Sequence, residues 1–400
     1  MKKLRVGILF GGRSGEHEVS LLSAASVFSA IDKNKYEVVP IGITKEGHWV
    51  TAHDAERLLR GEFTHHQERH LRAGDPETTP GAAVLANGEA VVVPPEPQQQ
   101  GGSLTAFQTD AASHALTRRV SDRAINVDVV FPVLHGTFGE DGTIQGLLEL
   151  ADLPYVGAGV LGSAAGMDKD IMKSLFRAAG LPIVKHVTVL RSEWKSNPKK
   201  IEKLVGGKLK YPVFVKPANL GSSVGISKAH DKGELGFAIR EAAKFDRKIV
   251  IEDGVGGKKQ KAREIECSVL GNDSPEASVP GEIVPVKEFY DYDAKYLDEG
   301  SELIIPAKLT KAETKKVQQL AVAAFKAVDC SGLARVDFLM DPKTRKIYLN
   351  EINTMPGFTA ISMYPKLWAA TGLPYAKLIE RLIEFGIERH ADKKKNQYSR

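Results

Sequence analysis

The chain has 400 residues, which is long enough for two or three domains, and its composition of 42% hydrophobic and 26% charged residues is that of a globular protein. Its formal net charge of +5 is small for this length and comes partly from the basic tail at 389–400, which argues against nucleic acid as a partner. Two cysteines exclude a disulfide framework, and no apolar run approaches the roughly 20 residues of a membrane span, so we expect a cytoplasmic protein with no membrane partner.

The first part of the chain alternates strands and helices, which predicts an open α/β domain. RVGILFGG (5–12) predicts a strand ending in a glycine turn, and apolar spacing from 19 to 31 predicts a helix before the strand YEVVPIGIT (36–44). VDVVFPVLHG (127–136) predicts another buried strand, followed by a loop and a helix from about 144. We expect this domain to span 1–165.

Three segments of this first part carry turn or helix signals. Residues from about 62 to 125 break the pattern and are interpreted as an insertion, with a possible Asn87-Gly88 hairpin and the low-complexity stretch PPEPQQQGGS. AGVLGSAAG (158–166) is interpreted as a glycine-rich loop, and 168–180 as a helix ended by a glycine.

Short strands dominate the rest of the chain, which favours a mostly antiparallel α+β half. We expect one domain at 166–254 and another at 255–400. The predicted strands are 211–217, 224–229, 248–253, 264–271 and 282–286, with helices near 231–245 and at 374–390.

Two polar stretches near the C-terminus, ARVDFLMD (334–341) and YLNEINTMPG (348–357), predict a hairpin with oxygen ligands on one face. Side chains two apart on a strand share a face, and the DPKTRK link suits a turn that brings Asp337 opposite Glu351 and Asn353. Carboxylate and amide oxygens without histidine or cysteine favour Mg²⁺ or Mn²⁺. The pattern alone equally fits a solvated hairpin with an outward polar face.

A possible phosphate-binding loop follows Lys216. NLGSSVG (219–225) offers small residues, whose backbone N–H groups can approach phosphate oxygens, together with serine hydroxyls. By itself the segment also fits a flexible glycine hairpin. GxxxxGK[ST] and HExxH are absent, so a P-loop and zinc proteolysis have no support, and the first loop GGRSGEHE does not supply GxGxxG, which weakens a dinucleotide interpretation of the first domain.

Six separated blocks in order carry a resemblance that no single block supports. They are GGRSGEHEVS (11–20), HGTFGEDGTIQG (135–146), MDK (167–169), KPANLGSSVG (216–225), FYDYDAKY (289–296), and ARVDF with NEINTMPGFT (334–338 and 350–359). With them the chain resembles the D-alanine–D-alanine ligase family of the ATP-grasp superfamily over nearly its whole length. The resemblance implies an ATP-grasp fold, in which a Rossmann-like N-terminal domain precedes a nucleotide bound between two antiparallel sheets.

The resemblance also implies an activity and its cofactors. The expected reaction is ligation of two D-alanines through D-alanyl phosphate, with ATP as co-substrate, for peptidoglycan precursor synthesis by a homodimer. Asp337, Glu351 and Asn353 match the ligands of two Mg²⁺ (or Mn²⁺) ions, with Glu351 bridging them. The residues that match the nucleotide-binding positions are Lys169, Lys216, Ser222, Ser223, Glu252, Val255, Glu264 and Lys295.

For the amino acids, the resemblance implies that Glu16 receives the ammonium of the first D-alanine, supported by Ser222 and Tyr296, with His135 nearby. It implies that Arg335 and the Gly357 N–H bind the oxyanion of the tetrahedral intermediate. The residues that match the site for the second carboxylate are Ser362 and Met363.

The segment FYDYDAKYLDEGS (289–301) is polar and aromatic without clear periodicity, as expected for a closing lid. Tyr296 within it favours D-alanine as second substrate, because relatives that accept D-lactate typically lack this tyrosine. Two alternatives stay open. One is a D-alanine–D-serine or D-alanine–D-lactate ligase, and the other is an ATP-grasp protein that binds nucleotide without catalysis.

Overall fold

The computed structural model describes residues 2–51, 79–87, 89–94, 102–109, 116–119, 125–257, 260–284, 302–359 and 361–398. Within these ranges the strands form three sheets. Lys295, Tyr296 and the whole of the expected lid at 289–301 lie outside the described residues, as do parts of the segment from 62 to 125.

The first sheet is parallel at its centre, as the alternating pattern predicts. Strand β1 pairs in parallel with β2 on one side and β8 on the other, and the pairs β2–β3, β3–β4, β4–β5 and β5–β6 are antiparallel. The segment interpreted as an insertion therefore contributes strands to this sheet, in the order β6-β5-β4-β3-β2-β1-β8, with β7 beside β5. The strand bounds are β1 Leu4–Gly11, β2 Tyr36–Ile43, β3 Trp49–Thr51, β4 Glu89–Val92, β5 Gly102–Thr109, β6 Leu116–Arg119, β7 Ile125–Val127 and β8 Val129–Pro132.

Two helices in the first part of the chain correct the sequence interpretation. The Asn87-Gly88 hairpin is wrong, because the residues before Gly88 form a helix that begins at Pro80, where the missing proline N–H costs no helical bond. The loop at 158–166 is also wrong, since most of it is helical. A Cβ on Gly162 would lie 2.5 Å from the Asp329 carbonyl oxygen, so this glycine permits close packing rather than a turn. The helices are α1 His17–Ala30, α2 Pro80–Asn87, α3 Thr143–Leu150 and α4 Val160–Met167.

The second sheet is antiparallel, with strand order β11-β10-β12-β9. Its alternating apolar residues pack against three helices, and Val213, Val215, Ile249 and Ile251 are fully buried there. The strands predicted at 211–217, 224–229 and 248–253 are confirmed, and the link between the first two is the loop after Lys216. The elements are α5 Lys169–Ala178, β9 His186–Leu190, α6 Arg191–Ser196, α7 Pro198–Lys208, β10 Val213–Pro217, β11 Ser227–Ala229, α8 Lys232–Phe245 and β12 Lys248–Asp253.

The third sheet is also antiparallel, with strand order β16-β15-β13-β17-β18 and β14 beside β13. The two polar stretches of the predicted hairpin form β17 and β18, which do pair antiparallel. The helix α9 packs on its other face through Val317, Ala321 and Phe325. The elements are β13 Arg263–Gly271, β14 Glu276–Ala277, β15 Gly281–Val284, β16 Glu302–Ile304, α9 Lys311–Ala327, β17 Gly332–Met340 and β18 Ile347–Asn353.

The last two helices, α10 Met363–Ala370 and α11 Tyr375–Lys393, return to the first sheet. Tyr364 and Trp368 of α10 and Leu382 of α11 belong to the same buried cluster as Ile8 and Phe131 of the first sheet. Burying a large apolar side chain contributes about 1.5–3 kcal/mol, so this shared core fixes the segment between β18 and α10 against the first sheet. No helix in the described ranges has the length and apolar content needed to cross a membrane.

Candidate active site

The second and third sheets face each other across a cleft, which we call the intersheet cleft. One wall consists of residues from β10, β12 and the loop after Lys216, and the other of residues from β13, β17 and β18. Its polar lining residues include Lys216, Ser223, Lys228, Glu252, Glu264, Glu266, Asp337, Asn350 and Glu351. A smaller polar cavity, the inner cavity, continues from it toward the first sheet, and Ser223 and Glu351 line both spaces.

The hairpin β17–β18 places its polar side chains as the alternation predicts. Asp337 lies directly opposite Glu351 and Arg335 lies opposite Asn353, with a register shift after Asp337. Asn353 Nδ2 donates to Asp337 Oδ2 at 3.0 Å. Asp337 and Glu351 both line the intersheet cleft, so this face of the hairpin points into a cavity between sheets rather than into open solvent.

Arg335 is held by two carboxylates. Its Nε and Nη2 donate to the two oxygens of Asp337 at 2.8 and 2.7 Å, and its Nε lies 3.0 Å from Glu266 Oε2 on the neighbouring strand. A bidentate arginine–carboxylate pair fixes the plane of the guanidinium. Glu266, which was not singled out from the sequence, therefore helps to orient this arginine.

Two predicted lysines stand at the junction of the two spaces. Lys216, at the end of β10, forms an ion pair with Glu252 and donates to Asn350 Oδ1 at 3.3 Å. Lys169, at the start of α5, donates from Nζ to the Leu220 carbonyl at 2.7 Å. Burial lowers the pKa of Lys169, whereas Glu252 and Glu351 outweigh burial and raise the pKa of Lys216. Lys216 therefore has the more strongly stabilised positive charge of the pair.

The loop after Lys216 bends back toward the first sheet. Ser222 and Ser223 have φ values of 49° and 59°, in the left-handed region that non-glycine residues rarely adopt. In this conformation the Ser222 hydroxyl donates to Glu16 Oε1, at the N-terminus of α1. Gly221 and Gly136 flank the same carboxylate, and a Cβ on either would lie within 2.6 Å of Glu16 Oε2. The structure thus brings Glu16 and Ser222 together across two parts of the chain.

His135 is fully buried and both its ring nitrogens are engaged. Nδ1 lies 3.0 Å from the Met355 carbonyl and Nε2 lies 2.9 Å from Ser23 Oγ. Burial lowers the pKa of His135, against the opposing effect of Glu16, so the neutral ring is favoured at neutral pH. His135 therefore connects the first sheet to the segment that follows β18.

Glu140 is a residue of the inner cavity that the sequence analysis did not single out. Its Oε1 accepts the Gly136 N–H at 2.9 Å, and its Oε2 accepts the Met355 N–H at 3.3 Å. Burial, reinforced by the charge of Glu16, raises the pKa of Glu140 to about 8. The signal was available, because Glu140 lies within the HGTFGEDG block from which only His135 was chosen.

The segment after β18 positions the remaining predicted residues. Ser362 Oγ accepts the Thr359 N–H at 3.1 Å and lies 2.7 Å from Thr359 Oγ1, and Met363 starts α10. A Cβ on Gly357 would lie 3.0 Å from Ser362 Oγ, so these two residues are neighbours.

Most of the predicted site residues that the structure describes line one of these two adjoining spaces. The lining of neither space includes His135, Arg335, Gly357, Ser362 or Met363. Lys216, Glu252, Val255, Glu264 and Asp337 line the intersheet cleft, and Glu16, Lys169, Ser222 and Asn353 line the inner cavity. Among the described residues no group of three or more His, Cys, Asp or Glu side chains is arranged to hold a metal ion by itself. Asp337 and Glu351 form a carboxylate pair beside one amide.

Two protein-family models match the chain, one in its N-terminal part and one in its C-terminal part. The family model described as the D-ala D-ala ligase N-terminus matches residues 5–158, and that described as the D-ala D-ala ligase C-terminus matches 175–384. The D-alanine–D-alanine ligase of Heliobacterium modesticaldum is 47% identical over 401 residues, which cover 100% of this chain and 99% of that protein. That of Geobacillus thermodenitrificans is 47% identical over 397 residues, 99% of each chain.

Solved structures agree with these matches. The D-alanine-D-alanine ligase from Coxiella burnetii superposes with a TM-score of 0.78 at 36% identity, covering 99% of this chain and 97% of that one. A D-Ala:D-Ser ligase from Enterococcus faecalis gives the same TM-score at 35% identity, covering 96% and 100%. The expected fold is therefore confirmed, and the chain belongs to the D-alanine–D-alanine ligase family and has the ATP-grasp fold.

Proposed function

We propose that this chain joins two D-alanines to D-alanyl-D-alanine, using ATP and releasing ADP and phosphate. The observation that carries the proposal is the inner cavity, where Glu16 from the first part of the chain, Lys169 and Ser222 from the middle, and Glu351 from the last part lie around one space. A space enclosed by all three parts suits a reaction that must bring a nucleotide and two amino acids together. The full-length similarity to D-alanine–D-alanine ligases supports the choice of substrates.

In the first step, the carboxylate of one D-alanine attacks the γ-phosphate of ATP and forms D-alanyl phosphate with release of ADP. Such a transfer needs positioning and charge neutralisation more than a nucleophilic side chain. Glu16 would receive the ammonium of this D-alanine, and Ser222 and His135 would support it. Tyr296, which lies outside the described residues, stays a predicted partner of Glu16.

The nucleotide would lie in the intersheet cleft. The adenine would contact the β12 end near Glu252 and Val255, and Glu264 would bind the ribose hydroxyls. Lys169, Lys216 and the N–H groups and hydroxyls around Ser222 and Ser223 would bind the phosphates. Lys295 is proposed as a further phosphate ligand on the family pattern alone.

The donor set of the hairpin fits divalent metal ions. Asp337, Glu351 and Asn353 offer only oxygen ligands, and a carboxylate pair with one amide leaves coordination positions for phosphates and water, as Mg²⁺ prefers. We propose that these residues hold two Mg²⁺ or Mn²⁺ ions, with Glu351 bridging them. The ions would neutralise charge on the transferring phosphoryl group.

In the second step, the amine of the second D-alanine displaces phosphate from D-alanyl phosphate and forms the peptide bond. Arg335 and the Gly357 N–H would stabilise the oxyanion of the tetrahedral intermediate. Ser362 and the backbone at Met363 would bind the second carboxylate. The orientation of Arg335 by Asp337 and Glu266 supports this role, because a fixed donor need not reorganise during the reaction.

Several further expectations from the sequence stay part of the proposal. They are the domain bounds 1–165, 166–254 and 255–400, a homodimer, a cytoplasmic location, and a role in peptidoglycan precursor synthesis.

The test is a phosphate-release assay with MgCl₂ and ATP across D- and L-amino acids. The proposal requires release that depends on D-alanine and is far weaker with L-alanine. Release that is independent of any amino acid would favour the alternative of nucleotide binding without this ligation.

A second candidate changes only the second substrate. The D-Ala:D-Ser ligase superposes as well as the D-alanine-D-alanine ligase does, so the fold alone does not select D-alanine. Equal concentrations of D-alanine, D-serine and D-lactate in one reaction separate these possibilities. Dominant D-alanyl-D-alanine supports the main proposal, and dominant D-serine product or depsipeptide contradicts it.

A further inference from the structure

Lys173 is a buried lysine that the proposed mechanism does not use. It lies one helical turn after Lys169 on α5, and only 1% of its surface is exposed. Taking an ammonium out of water costs several kcal/mol unless the charge is paired and hydrogen-bonded. A lysine buried to this extent beside a phosphate-binding site therefore invites a functional explanation.

The partners of Lys173 are also the partners of Lys216. Lys173 Nζ lies 2.9 Å from Glu252 Oε2 and donates to the Asn350 carbonyl at 3.2 Å. Lys216 pairs with the other oxygen of Glu252 and donates to the side chain of Asn350. The two lysines thus divide one carboxylate and one asparagine between them.

The charges of this group do not cancel. Two ammonium groups face the single carboxylate of Glu252. Burial would raise the pKa of Glu252, but Lys173 and Lys216 outweigh it and hold the pKa at about 2. Glu252 is therefore ionised at neutral pH and faces both lysines in a place shielded from water. Burial lowers the pKa of Lys173, against the opposing effect of Glu252.

We propose that Lys173 is a positioning residue for ATP, which acts by occupying one oxygen of Glu252. Because Glu252 is shared, it orients Lys216 without neutralising it, and Lys216 keeps positive charge for the phosphates. Without Lys173, Glu252 and Lys216 would form a closed pair of zero net charge. This inference rests on the proposed function, in which Lys216 binds the phosphates.

The direct test compares ATP binding to the full-length protein and to Lys173→Met, by calorimetry without amino acid. Methionine keeps an unbranched chain of similar length and removes the charge. We expect the Kd for ATP to rise about tenfold, which corresponds to about 1.4 kcal/mol. The KM for D-alanine should change less than about twofold. Equal ATP affinity in the two proteins would overturn the inference.

Lys248→Met is the matched control. Lys248 lies at the opposite end of β12 and pairs with Asp168 at 2.8 Å, so this variant also removes a lysine ion pair from the same sheet. We expect its ATP affinity to equal that of the unaltered chain. An equal loss in both variants would indicate a general structural effect and contradict the inference.

A double-mutant cycle shows whether Lys173 acts through Glu252. In a Glu252→Gln background the carboxylate that Lys173 shares with Lys216 is gone, so adding Lys173→Met should change the Kd for ATP less than about threefold, or about 0.65 kcal/mol. The double variant also leaves no unpaired buried carboxylate, so it serves if Lys173→Met alone does not fold. A tenfold loss in that background would overturn the inference.

The binding and activity arms separate the two proposals. ATP binding that depends on Lys173, in a chain that releases no phosphate with D-alanine, would support the inference and contradict the proposed ligation. Ligation by the unaltered chain together with unchanged ATP affinity in Lys173→Met would support the proposed ligation and contradict the inference about Lys173.

Discussion

Glu351 connects the two halves of the proposed site, because it lines both the intersheet cleft and the inner cavity. Glu351, on β18, lies directly opposite Asp337, on the neighbouring strand β17. A single carboxylate at this junction can serve the nucleotide and the acyl phosphate at once. Its proposed role as the bridging metal ligand can be tested without changing the size of the side chain.

Glu351→Gln is expected to reduce D-alanine-dependent phosphate release by at least about a hundredfold, because the amide lacks the charge that binds and bridges the metal ions. The fold should survive, which circular dichroism and thermal unfolding would show. Glu276→Gln, on an exposed position of β14, is the control and should release phosphate normally. Near-normal turnover of Glu351→Gln would contradict the bridging role.

Glu140 gives the site a pH dependence whose sign can be stated. Its pKa is about 8 in the folded chain and near the ordinary 4.5 after unfolding, so between these values the folded state binds more protons. Stability contributed by the protonated form is therefore lost as pH rises from about 5 to 8. Glu140→Gln cannot ionise and should not show this loss.

Urea unfolding of the unaltered chain and of Glu140→Gln at pH 5, 6.5 and 8 tests this expectation. Since each pKa unit corresponds to about 1.4 kcal/mol, the free energy of unfolding of the unaltered chain should fall relative to that of the variant by up to a few kcal/mol. Curves that stay parallel across this range would show that Glu140 is ionised in the folded state at all three values.

The site residues that could be predicted from the sequence are those that lie in the family blocks. Asp337 and Glu351 follow from alternation on a strand, and the observed register confirms that they face each other. Glu140, Lys173 and Glu266 were missed because their roles depend on which buried partners they meet. Those partners come from distant parts of the chain, such as Met355 for Glu140 and Glu252 for Lys173.

Among the elements, the loop between β10 and β11 has the most direct effect on the site. It carries two consecutive left-handed serines, Ser222 and Ser223, and reaches Glu16 on α1. Strained backbone of this kind persists only when surrounding contacts hold it. The hydrogen bond from Ser222 to Glu16 and the close approach of Gly221 supply those contacts.

Gly221→Ala is expected to raise the KM for D-alanine about tenfold, or about 1.4 kcal/mol, because the new methyl would lie 2.6 Å from Glu16 Oε2 and displace that carboxylate. The Kd for ATP should change less. Gly206→Ala is the control, since its added Cβ meets nothing within 4 Å and it lies in helix α7. Unchanged KM for D-alanine in Gly221→Ala would show that the loop tolerates the methyl and that Glu16 is not held there.

Elements with clear periodicity were predicted well, and glycine-rich ones were not. The strands β10, β12 and β13 and the helices α5, α8 and α11 lie where the pattern indicates. The helix α4 was taken for a loop because its glycines were interpreted as turn residues, whereas Gly162 and Gly166 allow close packing against Asp329 and Thr354. The helix α9 was overlooked although Thr310 and Glu313 form a capping box at its start.

At the scale of the whole molecule, the end of the chain returns to its beginning. The helix α11 packs on the first sheet, and Arg389 lies 4.1 Å from the ring centroid of Tyr155. His135 and Glu140 both contact Met355, just after β18. These long-range contacts enclose the inner cavity, and no local pattern in the sequence predicts them. The order of the six blocks along the chain did predict the family.

The most direct test of the whole account is the balance of products in one reaction of the full-length protein with ATP, MgCl₂ and D-alanine. We expect ADP, phosphate and D-alanyl-D-alanine to form in equal amounts, because each ligation consumes one ATP through D-alanyl phosphate. L-alanine in place of D-alanine should give little of any product. ATP hydrolysis without dipeptide, or no D-alanine-dependent turnover in a folded protein that binds ATP, would contradict the account.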